Sequence, residues 1–149
     1  MRRKIFIALI CIFALSTNAQ SYVDLGLPSG TLWKNKNEPG DFYSYKQAVE
    51  KFGDNLPATW QWNELQSKCI WEWTGNGYTI SGKNGNSIFL PAAGCRTPQG
   101  YVKRMGARGY YWAFTPAGID GAMMLFLMQN EVRVVEDTPD AGCTVRLVR

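Results

Sequence analysis

From residue 70 onwards, the apolar residues come in short runs that glycine, asparagine and other turn-forming residues interrupt. Runs of about four to eight residues rich in aromatic and β-branched side chains are typical of short β-strands. Two similar runs precede residue 35, around Pro28, Ser29 and Gly30. The predicted strands are residues 22–25, 31–34, 70–74, 78–81, 87–90, 110–114, 122–128, 132–135 and 143–148.

Two segments between these strands have the apolar spacing of helices. Ser44 is a potential N-cap for a helix that runs to about Phe52, where the turn formers 53–55 end it. Thr59 is the predicted N-cap of a second helix, which runs to about Cys69. The side chains predicted to face the core are Ala48, Val49 and Phe52 in the first helix and Trp62, Leu65 and Cys69 in the second. Two helices followed by many short strands predict an α+β domain.

Residues 1–19 have the three parts of a secretory signal peptide. Basic residues occupy positions 2–4, an apolar run covers 5–15, and the small residues Thr17 and Ala19 precede a potential cleavage site. Cleavage before Gln20 would leave 130 residues, a length that suits one domain. We therefore predict a signal peptide at 1–19 and a single exported domain at 20–149, secreted, periplasmic or at the cell surface.

Two other functions of the N-terminal segment, a transmembrane anchor and a lipoprotein signal, fit its residues less well. A transmembrane anchor is disfavoured because eleven apolar residues in a helix rise only about 16 Å, roughly half of a hydrocarbon core. A lipoprotein is disfavoured because Cys11 lies inside the apolar run, after the bulky Ile10. No membrane span is expected after cleavage.

The net charge argues against a nucleic-acid partner. The computed pI of 8.9 invites one, but three of the sixteen basic residues lie in 1–19 and none of the twelve acids does. Thirteen bases against twelve acids leave a charge of +1 on residues 20–149. So small a charge gives no strong attraction to phosphate polymers.

The sequence contains no histidine, and its predicted mature part contains three cysteines, Cys69, Cys95 and Cys143. The absence of histidine removes the commonest general base, the usual zinc ligand and any Ser-His or Cys-His nucleophile. Export permits one disulfide, and the odd count then leaves one free thiol.

Several consecutive segments carry a family resemblance. The segments "YVDLGLPSGTLWKNKNE", "LPATWQWNELQSKCIWEWTGNGYTISGKNGNSIFLPAAGCR", "GYYWAFTP" and "TVRLVR" resemble the Fibrobacter succinogenes major paralogous domain family over residues 22–149. That family is abundant in exported proteins of gut Bacteroidetes and is similar to the C-type-lectin-like superfamily, which includes the formylglycine-generating enzymes. The resemblance implies a C-type-lectin-like α+β fold, with two helices followed by small antiparallel sheets and the chain ends meeting in one sheet.

The sequence departs from the family at two places that bear on function. Cys95 stands where the family usually has Tyr, and the resemblance places it close to Cys143 at the start of the terminal strand. It therefore implies a Cys95–Cys143 disulfide, with three free buried thiols as the alternative. The strand 122–128 reads "AMMLFLM", where the family normally carries Trp and polar residues.

Catalytic and metal sites are not indicated. The reactive cysteines of the formylglycine-generating enzymes cannot be placed on this sequence by any motif, and Cys69 has the spacing of a buried structural thiol. The calcium-binding motifs of true C-type lectins do not occur in the right places; Trp62-Asn63-Glu64 lies on the predicted second helix. We expect no catalytic residues, no metal and no cofactor.

Two groups of residues are candidates for ligand binding. The first is the aromatic and basic group Tyr101, Lys103, Arg104 and Arg108, which could bind an anionic glycan or the carboxylates of a partner, or could be solvated loop. The second is the set Met124, Phe126 and Met128, which shares one face of the strand 122–128. This set forms a contact surface if it is exposed; alternatively, segment 116–121 or 134–142 buries it.

The sequence therefore predicts an exported, non-catalytic binding module with a role in adhesion or recognition at the cell surface. It would recognise a protein or glycan through its loop face. The alternatives are a structural or assembly subunit of a surface complex and, less favoured, a divergent enzyme of the formylglycine-generating type.

Export gives a first testable prediction. The product recovered from the periplasm or medium should begin at or near Gln20, because signal peptidase cuts after small residues. Intact mass spectrometry measures the N-terminus, and an intact Met1 in that fraction would contradict the prediction.

Overall fold

The computed structural model describes residues 21–40, 42–116 and 121–149, so the predicted signal peptide, residues 1–19, lies outside the described residues. Within these ranges, two α-helices and several small antiparallel sheets form a mixed α/β structure, as predicted. The helices are α1 (Tyr45–Phe52) and α2 (Thr59–Lys68), with a short 3₁₀ turn at Gly53–Asn55. The strands are β1 (Tyr22–Asp24), β2 (Leu32–Lys34), β3 (Ile70–Trp73), β4 (Gly77–Ser81), β5 (Ser87–Pro91), β6 (Cys95–Arg96), β7 (Val102–Lys103), β8 (Arg108–Pro116), β9 (Ala122–Met128) and β10 (Glu131–Asp137).

Helix α1 begins and ends where its sequence signals predict. The Ser44 hydroxyl accepts the Gln47 N–H at 3.2 Å, and the Gln47 side-chain oxygen accepts the Ser44 N–H at 2.9 Å. This reciprocal capping box satisfies two backbone donors that a helix start otherwise leaves open. Gly53 ends the helix with a φ of 49°, a conformation that favours glycine.

Helix α2 starts one residue earlier than a Thr59 cap would allow. Ala58 is the N-cap and Thr59 the first helical residue, with Gln61 Oε1 accepting the Ala58 N–H at 2.8 Å. The Thr59 N–H is instead satisfied by Thr115 Oγ1 at 3.3 Å. The N–H groups of Gln61 and Trp62, which a Thr59 cap would have satisfied, instead donate to the Ala58 carbonyl at 3.0 and 3.2 Å. No helix in the described part of the chain is long and apolar enough to cross a membrane.

The strands form two three-stranded and two two-stranded antiparallel sheets within the described ranges. Their orders are β3-β4-β5, β10-β9-β8, β1-β2 and β6-β7. The predicted strand 143–148 was wrong: this segment forms isolated bridges to Tyr43, Tyr111 and Trp33 rather than a ladder. Different residues of the segment form bridges with different parts of the chain, so no single partner strand runs alongside it. The two-residue strands β6 and β7 had no apolar run to indicate them.

Strands β8 and β9 of the sheet β8–β10 are largely buried on both faces and separate two apolar cores, whereas β10 is only partly buried. Odd-numbered residues of β8 and β9, such as Tyr111 and Leu125, belong to a first core that includes Trp62 and Leu65 of α2 and the sheet β3–β5. Even-numbered residues such as Trp112 and Met124 belong to a second core under α1. The fully or largely buried members of the second core are Tyr43, Ala48, Leu56, Trp112, Ala122, Met124, Cys143, Val145 and Leu147.

This arrangement decides between the two alternatives for Met124, Phe126 and Met128. Met124 is only 1% exposed and Phe126 8%, while Met128, at the end of the strand, is half-buried. The hypothesis that the three form an exposed contact surface was therefore wrong. Among the described residues, Ala48 of α1 and Val145 of the C-terminal segment belong to the same core as Met124, and part of the predicted cover 134–142 packs against it. Residues 117–120 of the other predicted cover lie outside the described residues.

A buried guanidinium connects the C-terminal segment to two other parts of the fold. The Arg146 side chain donates to Asn37 Oδ1 at 2.8 Å, to the Lys34 carbonyl at 3.0 Å and to the Phe89 carbonyl at 2.6 Å. Burial lowers the pKa of Arg146 to about 10, so the group remains charged at neutral pH. Lys34 beside it forms a largely buried salt bridge with Glu38.

The two-core arrangement predicts opposite results for two methionines. Met124→Ala removes buried atoms and should lower the free energy of unfolding by about 2–5 kcal/mol. Met105→Ala, at a residue 72% exposed, should change it by no more than about 0.5 kcal/mol. Denaturant unfolding of both variants measures the difference, and a small effect at Met124 would contradict the second core.

Candidate binding surface at the hairpin

A short hairpin carries the most exposed apolar side chains near the predicted loop site. The β6–β7 hairpin, residues 95–106, contains Tyr101, Val102 and Met105, which are 68%, 49% and 72% exposed. We call these three residues the hairpin patch. Tyr101 and Arg104 were predicted from the sequence, whereas Val102 and Met105 were missed. The sequence carried little signal for the missed pair, because single apolar residues in a polar loop are common at protein surfaces.

Backbone hydrogen bonds hold the hairpin in position. Gly94 donates to the Arg108 carbonyl at 2.7 Å, and Gly106 donates to the Ala92 carbonyl at 2.7 Å. A side chain at position 94 would collide with the Lys103 carbonyl oxygen, 2.3 Å from the ideal Cβ, and the φ there is +77°. Glycine is therefore required at this position for β7 to pack against the chain before β6.

The predicted basic group is divided between two places. Lys103 and Arg104 are exposed on the hairpin, and Arg104 has a φ of 65°, uncommon for a residue other than glycine. Arg108 instead begins β8 and lies over the Phe126 ring at 5.9 Å, and Arg133 lies over the same ring at 5.5 Å. The structure thus brings Arg108 together with Phe126, one residue from each sequence-predicted set, and leaves Tyr101 and Arg104 on the hairpin.

A pocket of about 290 Å³ lies beneath the hairpin patch. Its lining residues are Asn37, Glu38, Phe42, Ala93, Val102, Met105 and Thr144. The Thr144 hydroxyl is buried and has no hydrogen-bond partner among the described residues. Its free hydroxyl and the apolar walls give the pocket the chemistry to accept an apolar side chain that carries one polar group.

The polar side of this pocket belongs to a fixed network. Asn37 donates to the Tyr111 hydroxyl at 3.2 Å, and that hydroxyl donates to the Pro91 carbonyl at 2.6 Å. Burial raises the pKa of Tyr111 to about 12, which keeps the phenol neutral in the physiological range. The network therefore fixes the pocket's geometry without offering a group that titrates near neutral pH.

Cys95 and Cys143 lie opposite one another on adjacent segments. Arg96 and Gly142 exchange two backbone hydrogen bonds, at 2.9 and 2.8 Å, in an antiparallel bridge. One step along each segment from that pair places Cys95 opposite Cys143, and Cys95 is near enough to contribute to the raised pKa of Cys143. Both residues are free thiols in the structure, and Cys143 Sγ lies 3.8 Å from Met124 Sδ.

The three described cysteines have suppressed acidity. Burial is the largest cause of the raised pKa at Cys69, Cys95 and Cys143, and the shift is greatest at the fully buried Cys143. A raised pKa reduces the thiolate fraction and slows uncatalysed thiol chemistry. Among residues 21–40, 42–116 and 121–149, no three cysteine, aspartate or glutamate side chains group closely enough to hold a metal ion.

Comparison with known proteins found no matching family model, no matching curated protein and no matching solved structure. The resemblance to the Fibrobacter succinogenes major paralogous domain family remains a prediction from the motifs.

The position of the cysteine pair gives a testable prediction for protein made in an oxidising compartment. It should contain a Cys95–Cys143 bond, closing a loop of about 48 residues, which is worth up to roughly 4 kcal/mol in the chain-entropy model. Alkylation of the unfolded, unreduced protein should then label Cys69 alone. Cys95→Ser should expose a second thiol at Cys143, whereas the control Cys69→Ser should leave none. Three labelled cysteines in the native sequence would contradict the bond.

Proposed function

We propose that the protein is an exported, non-catalytic binding module with a C-type-lectin-like fold, and that it recognises a protein partner through the β6–β7 hairpin. The observation that carries this proposal is the hairpin patch. Three large apolar side chains within five residues are exposed on a segment that backbone hydrogen bonds hold in place. Exposed apolar residues that cluster, rather than scatter singly, mark contact surfaces.

The chemistry of the patch indicates what its partner offers. Tyr101 and Met105 are residue types enriched at protein interfaces, and methionine adapts its shape to different partners. Lys103 and Arg104 place two positive charges on the same hairpin. The complementary surface carries an apolar side chain for the pocket and carboxylates for the two cations.

A structural or assembly subunit is the second candidate, supported by the same patch. In that case a neighbouring subunit, rather than a recognised ligand, covers Tyr101, Val102 and Met105. The arrangement of the two helices and small sheets is compatible with either role. A divergent enzyme is less favoured, because burial raises the pKa of the fully buried Cys143 and of the half-buried Cys69, which keeps both thiols largely protonated at neutral pH.

The proposal can be tested with a displayed random-peptide library. Peptides selected on the folded domain should combine an apolar residue with acidic neighbours, and added salt should weaken their binding. The double substitution Tyr101→Ser with Met105→Ser should reduce the affinity at least about tenfold, with little change in thermal stability because both residues are exposed.

Ile70→Ser is the matched control, because Ile70 is an equally exposed apolar residue outside the hairpin. Its substitution should leave peptide binding unchanged. Selected peptides that bind the double variant as tightly as the native domain would overturn the hairpin as the site. Self-association that the double substitution abolishes would favour the assembly subunit instead.

A further inference from the structure

An open groove of about 750 Å³ lies on a different part of the molecule. Its walls are the last turns of α2, the strands β3 and β4, and the turn that joins β9 to β10. It shares no lining residue with the pocket beneath the hairpin. None of the sequence-predicted binding residues lines it.

The aromatic side chains in the groove are held rigidly. Trp71 and Trp73 lie on the same face of the edge strand β3, both half-buried. Each packs edge-on against the buried Tyr78, with ring centroids 5.4 and 5.1 Å away. Trp71 Nε1 donates to the Leu65 carbonyl at 3.0 Å, and the Tyr78 hydroxyl donates to the Met128 carbonyl at 2.7 Å. A ligand that uses these rings therefore needs to order no flexible side chain.

Side-chain amides border the rings on two sides. Asn63 and Gln66 are three residues apart on α2 and so share one face of the helix, and Asn130 faces them from the β9–β10 turn. Among the described residues, the side-chain hydrogen bonds at the groove are those of Trp71, Tyr78 and Ser67. The three amides take no part in them, so each retains two donors and an acceptor for a ligand.

The groove is nearly neutral. Glu131 is its one ionisable carboxylate, and its Oε1 lies 2.7 Å from Nε of Arg133. A lining without an excess cation does not attract phosphate, sulfate or carboxylate groups. A ligand with many hydroxyls and no charge matches this lining best.

From these observations we propose that the groove binds a neutral carbohydrate. The C–H face of a pyranose ring carries slight positive charge and packs against the negative face of an aromatic ring, here Trp71 and Trp73. Hydroxyl groups both donate and accept, which matches the open amides of Asn63, Gln66 and Asn130. A shallow, rigid site of this kind adds a second binding activity that does not depend on the hairpin.

The test is a panel of neutral oligosaccharides built from glucose, galactose, mannose and xylose units, titrated against the folded domain. Trp73→Ala should weaken the best ligand at least about tenfold, through loss of ring contact. Asn63→Ala is at an exposed helix position and will not disturb folding, and it should weaken the same ligand about threefold or more. Trp60→Ala, at an exposed Trp outside the groove, is the matched control and should have no effect.

Cys69 gives a second readout, because it lines the groove. Saturating oligosaccharide should slow its alkylation, measured by peptide mass spectrometry, while Tyr101→Ser with Met105→Ser leaves sugar binding unchanged. The proposal is overturned if no oligosaccharide of the panel binds, if Asn63→Ala and Trp73→Ala leave binding intact, or if only peptides occupy the groove.

Discussion

The β8–β10 sheet has apolar cores on both of its faces, and the positions of the other elements follow from that constraint. A sheet with one solvated face needs an apolar residue at every second position, whereas a sheet covered twice needs them at consecutive positions. This accounts for the run "AMMLFLM" in β9, whose odd and even residues serve different cores. Helix α2 and the sheet β3–β5 cover one face, and α1 with the C-terminal segment covers the other.

Buried side chains next to these cores donate hydrogen bonds that fix the positions of separate chain segments relative to one another. Arg146 donates to two backbone carbonyls and one side-chain amide oxygen from two separate segments, which offsets the cost of burying its charge. Trp112 Nε1 donates to the Tyr43 carbonyl at 2.6 Å and anchors the chain before α1 to the central sheet. The Thr144 hydroxyl is an exception, and it lines the pocket beneath the exposed hairpin.

Local signals in the sequence predicted the helices and most strands. Ser44 and Gly53 delimit α1 because capping and left-handed backbone depend on a few adjacent residues. Alternation also gave the two faces of β9, but it could not show what covers each face. Helix α1, some seventy residues earlier, buries Met124, and no local pattern records that contact.

The binding surfaces were harder to predict from the sequence than the helices and strands. Tyr101 and Arg104 could be identified because an aromatic and a cation stand close together in one loop. The groove could not, because Asn63, Trp73 and Asn130 are distant in sequence and converge only through the packing of α2 and the β9–β10 turn. Arg108 was assigned to the binding loop because it follows Arg104 closely in the sequence. It is instead the first residue of β8, and its side chain lies over the Phe126 ring.

The pairing of β2 with the C-terminal residues has a consequence for the order of folding. Leu32 and Arg149 exchange backbone hydrogen bonds, and Arg146 joins Asn37 across more than a hundred residues of chain. Contacts between neighbouring strands, as in β3–β5, close short loops and form early, whereas these distant contacts must first overcome a large loss of chain entropy. Residues 143–149 contribute to both cores, so neither can reach its final packing until that segment has been synthesised and docked. The antiparallel hairpins of this domain therefore form locally, and its cooperative folding transition depends on the docking of residues 143–149.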